Sequence, residues 1–304
     1  GGPVSAIGMR LAVLVAVLLS VARPIAAQEQ FFTDETSRML PEVLDFAKDV
    51  DFGDVDGDAY LDIFLSESES STFPNQLWMN AQGDSFTNVT AERLPGGGFL
   101  NTSDGDFGDV DGDGDLDLYV SNWDDRSQVL INDGSGVFTS DPSRLPDLYA
   151  IRYSKDGDFG DIDGDLDLDV LVANFNTQYE LLFINDGNGF FEAAPHARFP
   201  SGPGNANHVD VGDVDGDLDL DAIVASEDQI NRLFMNDGTG WFVDETSQRI
   251  PRDDSQSNDV EFGDIDGDGD LDILVVNGFF PGTDRIWIND GSGYFADETD
   301  QHPV

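Results

Sequence analysis

Cysteine is absent from the 304-residue chain. That excludes a disulfide framework, a thiolate metal site and a lipid-anchored N-terminal cysteine. Basic residues are scarce: 14 stand against 62 acidic ones, Lys48 and Lys155 are the only lysines, and the net charge is −48. Such a surface repels nucleic acid phosphates and anionic lipid, so neither is expected as a partner. Acidity of this order also fits a disordered chain. Here, however, 39% of residues are hydrophobic and 22 are Phe spread along the sequence, enough for a core. Adaptation to salty surroundings would push composition the same way.

Long apolar runs are missing too, with one exception. Leu11 to Val21 is uncharged, follows Met9-Arg10 and precedes Pro24 and Ile25-Ala26-Ala27. It is shorter than the ~20 residues of a membrane span. The pattern reads as an export signal cut after Ala27, with Ala22 as the alternative site and a buried core helix as the competing reading. The eight residues ahead of Met9 do not fit a signal and suggest a start codon placed too early. The expected address is periplasmic or extracellular. The expected division is 1–27 for the signal and upstream residues and 28–304 for one repeat domain.

What is present is a period. Asp-x-Asp-Gly-Asp begins at Asp54, Asp109, Asp161, Asp213 and Asp264, at intervals of 55, 52, 52 and 51 residues. The units run over about 45–96, 97–147, 148–201, 202–251 and 252–300. In each, a stretch ending Gly-Asp leads into the acidic loop. A β-rich run follows, such as Leu116 to Val120, then a variable loop, then a second run ending in Asn, such as Val129 to Asn132. A Gly-rich turn such as Asp133-Gly134-Ser135-Gly136 and an aromatic closing strand complete the unit. That is four short strands joined by turn signals, with Asp-Gly supplying the positive φ of tight hairpins. So small a sheet cannot bury both faces alone. Radial stacking does so, and predicts an all-β propeller of four-stranded blades. A β-sandwich accounts poorly for the fixed period.

Phe-Gly-Asp-x-Asp-Gly-Asp-x-x-Leu-Asp followed by Asn-Asp-Gly-x-Gly-x-Phe resembles the FG-GAP/VCBS repeat. Both motifs recur in register over about residues 45 to 300, apart from Ala81-Gln82-Gly83-Asp84-Ser85 in the first hairpin. The resemblance implies a propeller like that of integrin alpha subunits, with calcium in the loop joining the first two strands of a blade. It implies no single activity, because members resemble adhesion modules, lectin-like modules and non-catalytic parts of larger secreted proteins. The closing-strand motif occurs a sixth time, at Phe31 to Thr36, without an acidic loop of its own. Either five blades close directly, or the sequence is a piece of a six- or seven-bladed protein; the latter is the expectation.

The loops carry the chemistry. Positions 1, 3, 5 and 9 are carboxylates in every copy: Asp54, Asp56, Asp58 and Asp62; Asp109, Asp111, Asp113 and Asp117; Asp161, Asp163, Asp165 and Asp169; Asp213, Asp215, Asp217 and Asp221; Asp264, Asp266, Asp268 and Asp272. Position 7 is Tyr60, Asp115, Asp167, Asp219 or Asp270, and is a candidate ligand through its carbonyl. Calcium takes six to eight oxygens in a flexible cage, which suits this donor set. Zinc and copper want sulfur or nitrogen donors, and the three histidines stand outside the loops. Magnesium keeps more of its waters. An EF-hand needs Glu at position 12 and flanking helices, and nonapeptide calcium repeats recur far more often than this. Position 6 is Gly in the second and fifth loops, Ala59 in the first, and Leu166 and Leu218 in the third and fourth. If it requires positive φ, the first, third and fourth sites are strained and weaker. Leu at position 8 in all five copies is expected to plug the loop into the blade core.

Two further patterns concern the opposite end of the blades. Asp51, Asp106, Asp158, Asp210 and Glu261 precede the loops, with Asp49, Asp104, Asp156, His208 and Asp259 two residues earlier. Strand alternation puts both sets on one side of the innermost strand. They are expected to hydrogen-bond neighbouring blades, with a second cation site as the alternative. The variable loops lie opposite the metal loops, which marks a recognition face. Its candidates are Trp123, Tyr149, Arg152, Tyr153, Phe175, Tyr179, Phe279, Phe280 and Arg285. No nucleophile motif appears, and the histidines (His196, His208, His302) form no recognisable set. The expected function is a secreted, non-catalytic binding or adhesion module for protein or glycan. A secreted polysaccharide lyase or hydrolase is the alternative.

Overall fold

Each repeat folds into one four-stranded antiparallel sheet whose strands lie in chain order from inside to outside. The computed structural model describes residues 47–67, 74–97, 101–123, 125–146, 153–227, 229–278 and 283–301. The signal segment and the closing-strand motif at Phe31 to Thr36 lie outside these. Blade 1 comprises β1 (Ala47–Gly53), β2 (Asp62–Glu67), β3 (Gln76–Asn80) and β4 (Phe86–Asn88). Blade 2 comprises β5 (Thr102–Gly108), β6 (Asp117–Asn122), β7 (Gln128–Asn132) and β8 (Phe138–Ser140). Blade 3 comprises β9 (Ser154–Gly160), β10 (Asp169–Asn174), β11 (Leu181–Asn185) and β12 (Phe191–Ala193). Blade 4 comprises β13 (Ala206–Gly212), β14 (Asp221–Ser226), β15 (Arg232–Asn236) and β16 (Phe242–Asp244). Blade 5 comprises β17 (Ser257–Gly263), β18 (Asp272–Asn277), β19 (Arg285–Asn289) and β20 (Phe295–Asp297). Two single-turn helices, α1 (Thr90–Arg93) and α2 (Thr246–Arg249), follow the outer strands of blades 1 and 4. Four residues are too few to show a helical period in sequence. No helix among the described residues is long and apolar enough to cross a membrane.

The core lies between blades. In β6, Leu118 and Val120 pack with Phe64 and Leu77 of blade 1, while Tyr119 packs with Val170, Val172 and Phe183 of blade 3. The period-2 alternation of a strand buried on both faces thus joins three blades through consecutive residues. The same arrangement recurs at the last two interfaces, around Leu171 with Phe234 and around Ile223 with Trp287.

Glycines on the inner strands let large side chains of the preceding blade close in. A Cβ on Gly157 would stand 2.4 Å from Cε1 of Tyr119, a ring fully buried in the blade before it. Gly157→Ala is therefore expected to cost about 1–3 kcal/mol by overpacking. Chemical denaturation measures it, and a midpoint within error of the parent would contradict this packing.

The position-8 leucines sit at the seams between blades. They reach onto the inner strand of the blade before, while Leu116 and Leu271 also pack against clusters that include residues of their own blades. A Cβ on Gly53, Gly108, Gly160 or Gly212 would meet Leu116, Leu168, Leu220 or Leu271 at 2.5–3.0 Å. Leu61 has no preceding blade among the described residues and is 46% exposed, as Val50 and Phe52 are also exposed. Gly263, in the corresponding place on blade 5, has nothing within 4 Å. Among the described residues, successive inner strands pack from β1 through β5, β9 and β13 to β17, and β17 does not pack on β1 in the same way.

Candidate metal centres

Each acidic loop joins the first strand of a blade to the second. Its backbone turns twice through positive φ. Position 4 is Gly in all five loops, with φ between 72° and 84°. Position 6 is also left-handed throughout: Gly114 and Gly269 at 95° and 100°, Ala59, Leu166 and Leu218 at 72°, 77° and 76°. The two leucines are forced outward and stand 88% and 86% exposed. Non-glycine residues pay roughly 1–2 kcal/mol for this conformation. Leu166→Gly is accordingly expected to stabilise the fold by about 1 kcal/mol and to tighten ion binding in the third loop. Thermal melting with and without calcium reads both, and an unchanged melt would refute the strain.

The carboxylates converge on a common centre. Asp54, Asp56 and Asp58 bring ligand oxygens within 4.8 Å of one another, as do Asp109, Asp111 and Asp117, and Asp161, Asp163 and Asp165. Position 1 organises the turn: Asp109 accepts from the N–H groups of Gly112 at 2.9 Å and Gly114 at 3.0 Å, and Asp213 from Gly216 at 2.8 Å and Leu218 at 2.9 Å. Position 5 accepts from the N–H of position 7, as Asp113 does from Asp115 at 3.0 Å. The position-7 carboxylates of Asp115, Asp167, Asp219 and Asp270 lie over the hairpin glycines Gly134, Gly187, Gly238 and Gly291, and the Tyr60 ring takes that place beside Gly83.

Position 9 is the keystone. Asp62, Asp117, Asp169, Asp221 and Asp272 are essentially inaccessible to solvent. Asp117 accepts from Val110 N–H at 3.1 Å with one oxygen and from Asn132 N–H at 2.9 Å with the other, tying the loop to the third strand. Burial raises its carboxyl to about 7, and those of Asp169 and Asp221 likewise; Asp62 rises to about 6, and Asp272 is raised for the same reason.

The donor set fits calcium. Every inward group is a hard oxygen. The Oδ1 atoms of Asp56, Asp111, Asp161, Asp163 and Asp215 are buried without a hydrogen-bond partner, a costly state that a cation would relieve.

Five of the paired acids of the inner strands reach across blades as expected, while Asp104, Asp106 and Asp156 also bring ligand oxygens within 4.8 Å of one another, as the alternative of a second cation site requires. Asp51 accepts from Phe107 N–H at 2.8 Å, Asp104 from Gly157 at 3.2 Å, Asp156 from Val209 at 2.8 Å, Asp158 from Val211 at 2.9 Å and Asp210 from Phe262 at 2.7 Å. His208 breaks the pattern and sits among Asp156, Asp259 and Glu261 at 3.1–4.0 Å. The described histidines are not gathered: His196 packs at a tilt against Tyr179, with ring centroids 4.7 Å apart.

On the variable-loop face, three candidates meet. Trp123 lies 4.9 Å from Tyr153 and 5.5 Å from Phe175. Sequence reasoning missed their companions. The Lys155 ammonium stands 4.2 Å from the Trp123 ring and Lys48 5.8 Å from it, so both lysines of the chain reach one tryptophan. Arg285 sits apart, 3.6 Å from Asp253. Tyr149, Arg152, Phe279 and Phe280 lie outside the described residues.

Comparison with known proteins agrees with the fold. The fold is similar to BBS1N, in crystal structures of its complex with ARL6DN soaked with mercury or lead. The TM-scores are 0.51 and 0.50 at 12% and 11% identity, covering 83% of this chain and 68% and 67% of that one. The V. cholerae biofilm matrix protein Bap1 is similar at TM-score 0.45 and 17% identity, over 81% of this chain and 38% of its own. No curated protein sequence matches. The FG-GAP-like repeat profile matches residues 54–120, 109–172, 161–224 and 213–275. These overlapping matches cover most of the sequence, and the chain belongs to the FG-GAP-like repeat family.

Proposed function

We propose that the chain is a secreted, non-catalytic binding module that carries structural calcium in each blade and recognises a protein or glycan on the face opposite the metal loops. The observation that carries this reading is the convergence of Trp123, Tyr153, Phe175, Lys155 and Lys48. In so acidic a chain, two ammonium groups beside closely packed rings form an anchor for a ligand with an apolar or sugar face and anionic groups. The residues come from three blades, so the anchor exists only while the blades stay in register. Calcium on the far face would secure that register without touching the ligand. A non-catalytic role is supported by the acids, most of which serve the repeat itself. Export is supported by the N-terminal signal pattern and by calcium loops of a kind that binds at the millimolar concentrations found outside cells.

Glycan and protein arrays probed with and without calcium test this reading. A ligand held in calcium is expected to bind roughly 30-fold more weakly to Trp123→Ala, as for a central aromatic anchor. Full binding by that variant, or turnover of an array hit, would overturn it.

A further inference from the structure

Four arginines recur in a motif that the acidic repeat hides: Arg93-Leu94-Pro95, Arg144-Leu145-Pro146, Arg198-Phe199-Pro200 and Arg249-Ile250-Pro251. The middle residue is buried in every copy. That plug directs the arginine before it to the seam between its own metal loop and the hairpin of the following blade.

Arg249 shows the full set of contacts. Its Nη2 lies 3.5 Å from the Asp215 carboxylate at position 3 of the fourth loop. Its Nη1 donates to the Ser292 carbonyl in the blade 5 hairpin at 2.7 Å, and its Nε donates to Glu245 at 2.5 Å. The guanidinium covers the Tyr294 ring at 4.8 Å. Arg144 likewise donates to the Asn188 carbonyl at 2.9 Å and covers Phe190 at 4.8 Å. Arg93 donates to the Ser135 carbonyl. Arg198 lies 3.9 Å from Asp163 and 5.8 Å from the Trp241 ring. In all four loops, burial and then the position-5 carboxylate push the position-3 carboxyl up, and the arginine is the largest opposing influence.

The same seam is tied from the other side. The Asn that ends each third strand donates to the position-2 carbonyl of the preceding blade's loop: Asn132 to Val55 at 2.8 Å, Asn185 to Val110 at 2.7 Å, Asn236 to Ile162 at 2.8 Å and Asn289 to Val214 at 2.8 Å. The position-3 Oδ1 atoms left without a hydrogen bond are those of Asp56, Asp111, Asp163 and Asp215, the four loops served by an arginine. In the fifth loop the register-equivalent residue is His302, outside the described residues, and Asp266 Oδ1 instead accepts from Asp268 N–H at 3.1 Å.

We infer that Arg93, Arg144, Arg198 and Arg249 are positioning residues of the metal loops. Each holds the outer side of the position-3 carboxylate, leaves the inner oxygen aimed at the ion, and ties that loop to the next blade. Ion binding in one blade is thereby coupled to the docking of its neighbour. The inference rests on the calcium reading of the loops. It also has a sign that simple charge does not share. Removing a cation beside a calcium site should strengthen binding by Coulomb's law, whereas removing a positioning group weakens it.

Hydrogen exchange of the full chain, followed by mass spectrometry across a calcium titration, resolves the loops one by one. In Arg249→Ala, the calcium midpoint for residues 213–221 is expected to rise roughly tenfold, as for a lost charge-assisted hydrogen bond. Residues 109–117 should keep their midpoint, and the hairpin at 290–294 should exchange faster in saturating calcium. Arg249→Lys keeps the charge and the stem but not the planar fork, and should shift the same way. It also serves if Arg249→Ala loses its fold. A midpoint in either variant that is unchanged or moves to lower calcium overturns the positioning role. A wild-type chain with no calcium-dependent protection in any loop overturns the calcium reading and this inference with it, and the wild-type titration tells the two failures apart.

Discussion

Chelation of calcium is expected to lower the melting temperature by tens of degrees. An ion held at 100 times its Kd stabilises a fold by about 2.7 kcal/mol. For a chain of this size each kcal/mol moves Tm by roughly 2–4 °C. Two saturated loops alone would thus shift Tm by roughly 10–20 °C, and all five by more. The metal-free protein should also respond to pH in a defined direction. Burial holds the position-9 carboxyls protonated up to about 6 in Asp62 and about 7 in Asp117, Asp169 and Asp221. An unfolded Asp releases its proton near 3.9. Between these values the folded chain binds more protons than the unfolded one, so stability falls as pH rises through that window. In EDTA the melt at pH 5 should therefore lie above the melt at pH 8. Calcium favours the ionised carboxylates and should reverse that order. Identical melts in calcium and in EDTA at pH 8 would contradict structural calcium.

Asp117→Ala is expected to be among the most damaging single substitutions in the chain. It removes the acceptor of two buried backbone N–H groups, those of Val110 and Asn132. Each orphaned donor costs about 1–3 kcal/mol. The sum is about 2–6 kcal/mol before the loss of an ion ligand is counted. The damage should persist in EDTA, because the two hydrogen bonds do not depend on the metal. Asp113→Ala, an exposed position-5 change, should by contrast lose its effect once calcium is chelated. Urea denaturation of both variants with and without calcium separates the roles, and equal behaviour in EDTA would contradict the keystone assignment.

Much of this was legible in the sequence because the repeat averages over accidents. Five copies in register located the strands, the loops and positions 1, 3, 5 and 9, and the left-handed conformation at position 6 followed from Gly114 and Gly269 standing where Leu166 and Leu218 stand elsewhere. The position-8 leucines were legible only in part. A leucine after a turn declares that it is buried, but not that the preceding blade also receives it, and Gly53, Gly108, Gly160 and Gly212 make room for that from over fifty residues away. The arginine motif was readable, since Arg, an apolar residue and Pro recur at Arg93, Arg144, Arg198 and Arg249. It was obscured because the spacing from the closing strand varies between units. The Trp123 cluster was not readable as a cluster. Lys48, Trp123, Lys155 and Phe175 occur once each, and only stacking of three blades brings them together.

The central claim is that the acidic loops are calcium sites, and counting the ions tests it most directly. Equilibrium dialysis of the chain against roughly 1 mM calcium, a level suited to extracellular calcium modules, followed by elemental analysis gives the number bound per chain. The account predicts about five ions, one per acidic loop, and one fewer in a chain whose second loop carries Asp109→Asn with Asp111→Asn. A chain that retains no calcium, or a double variant that retains as much as the parent, would contradict it.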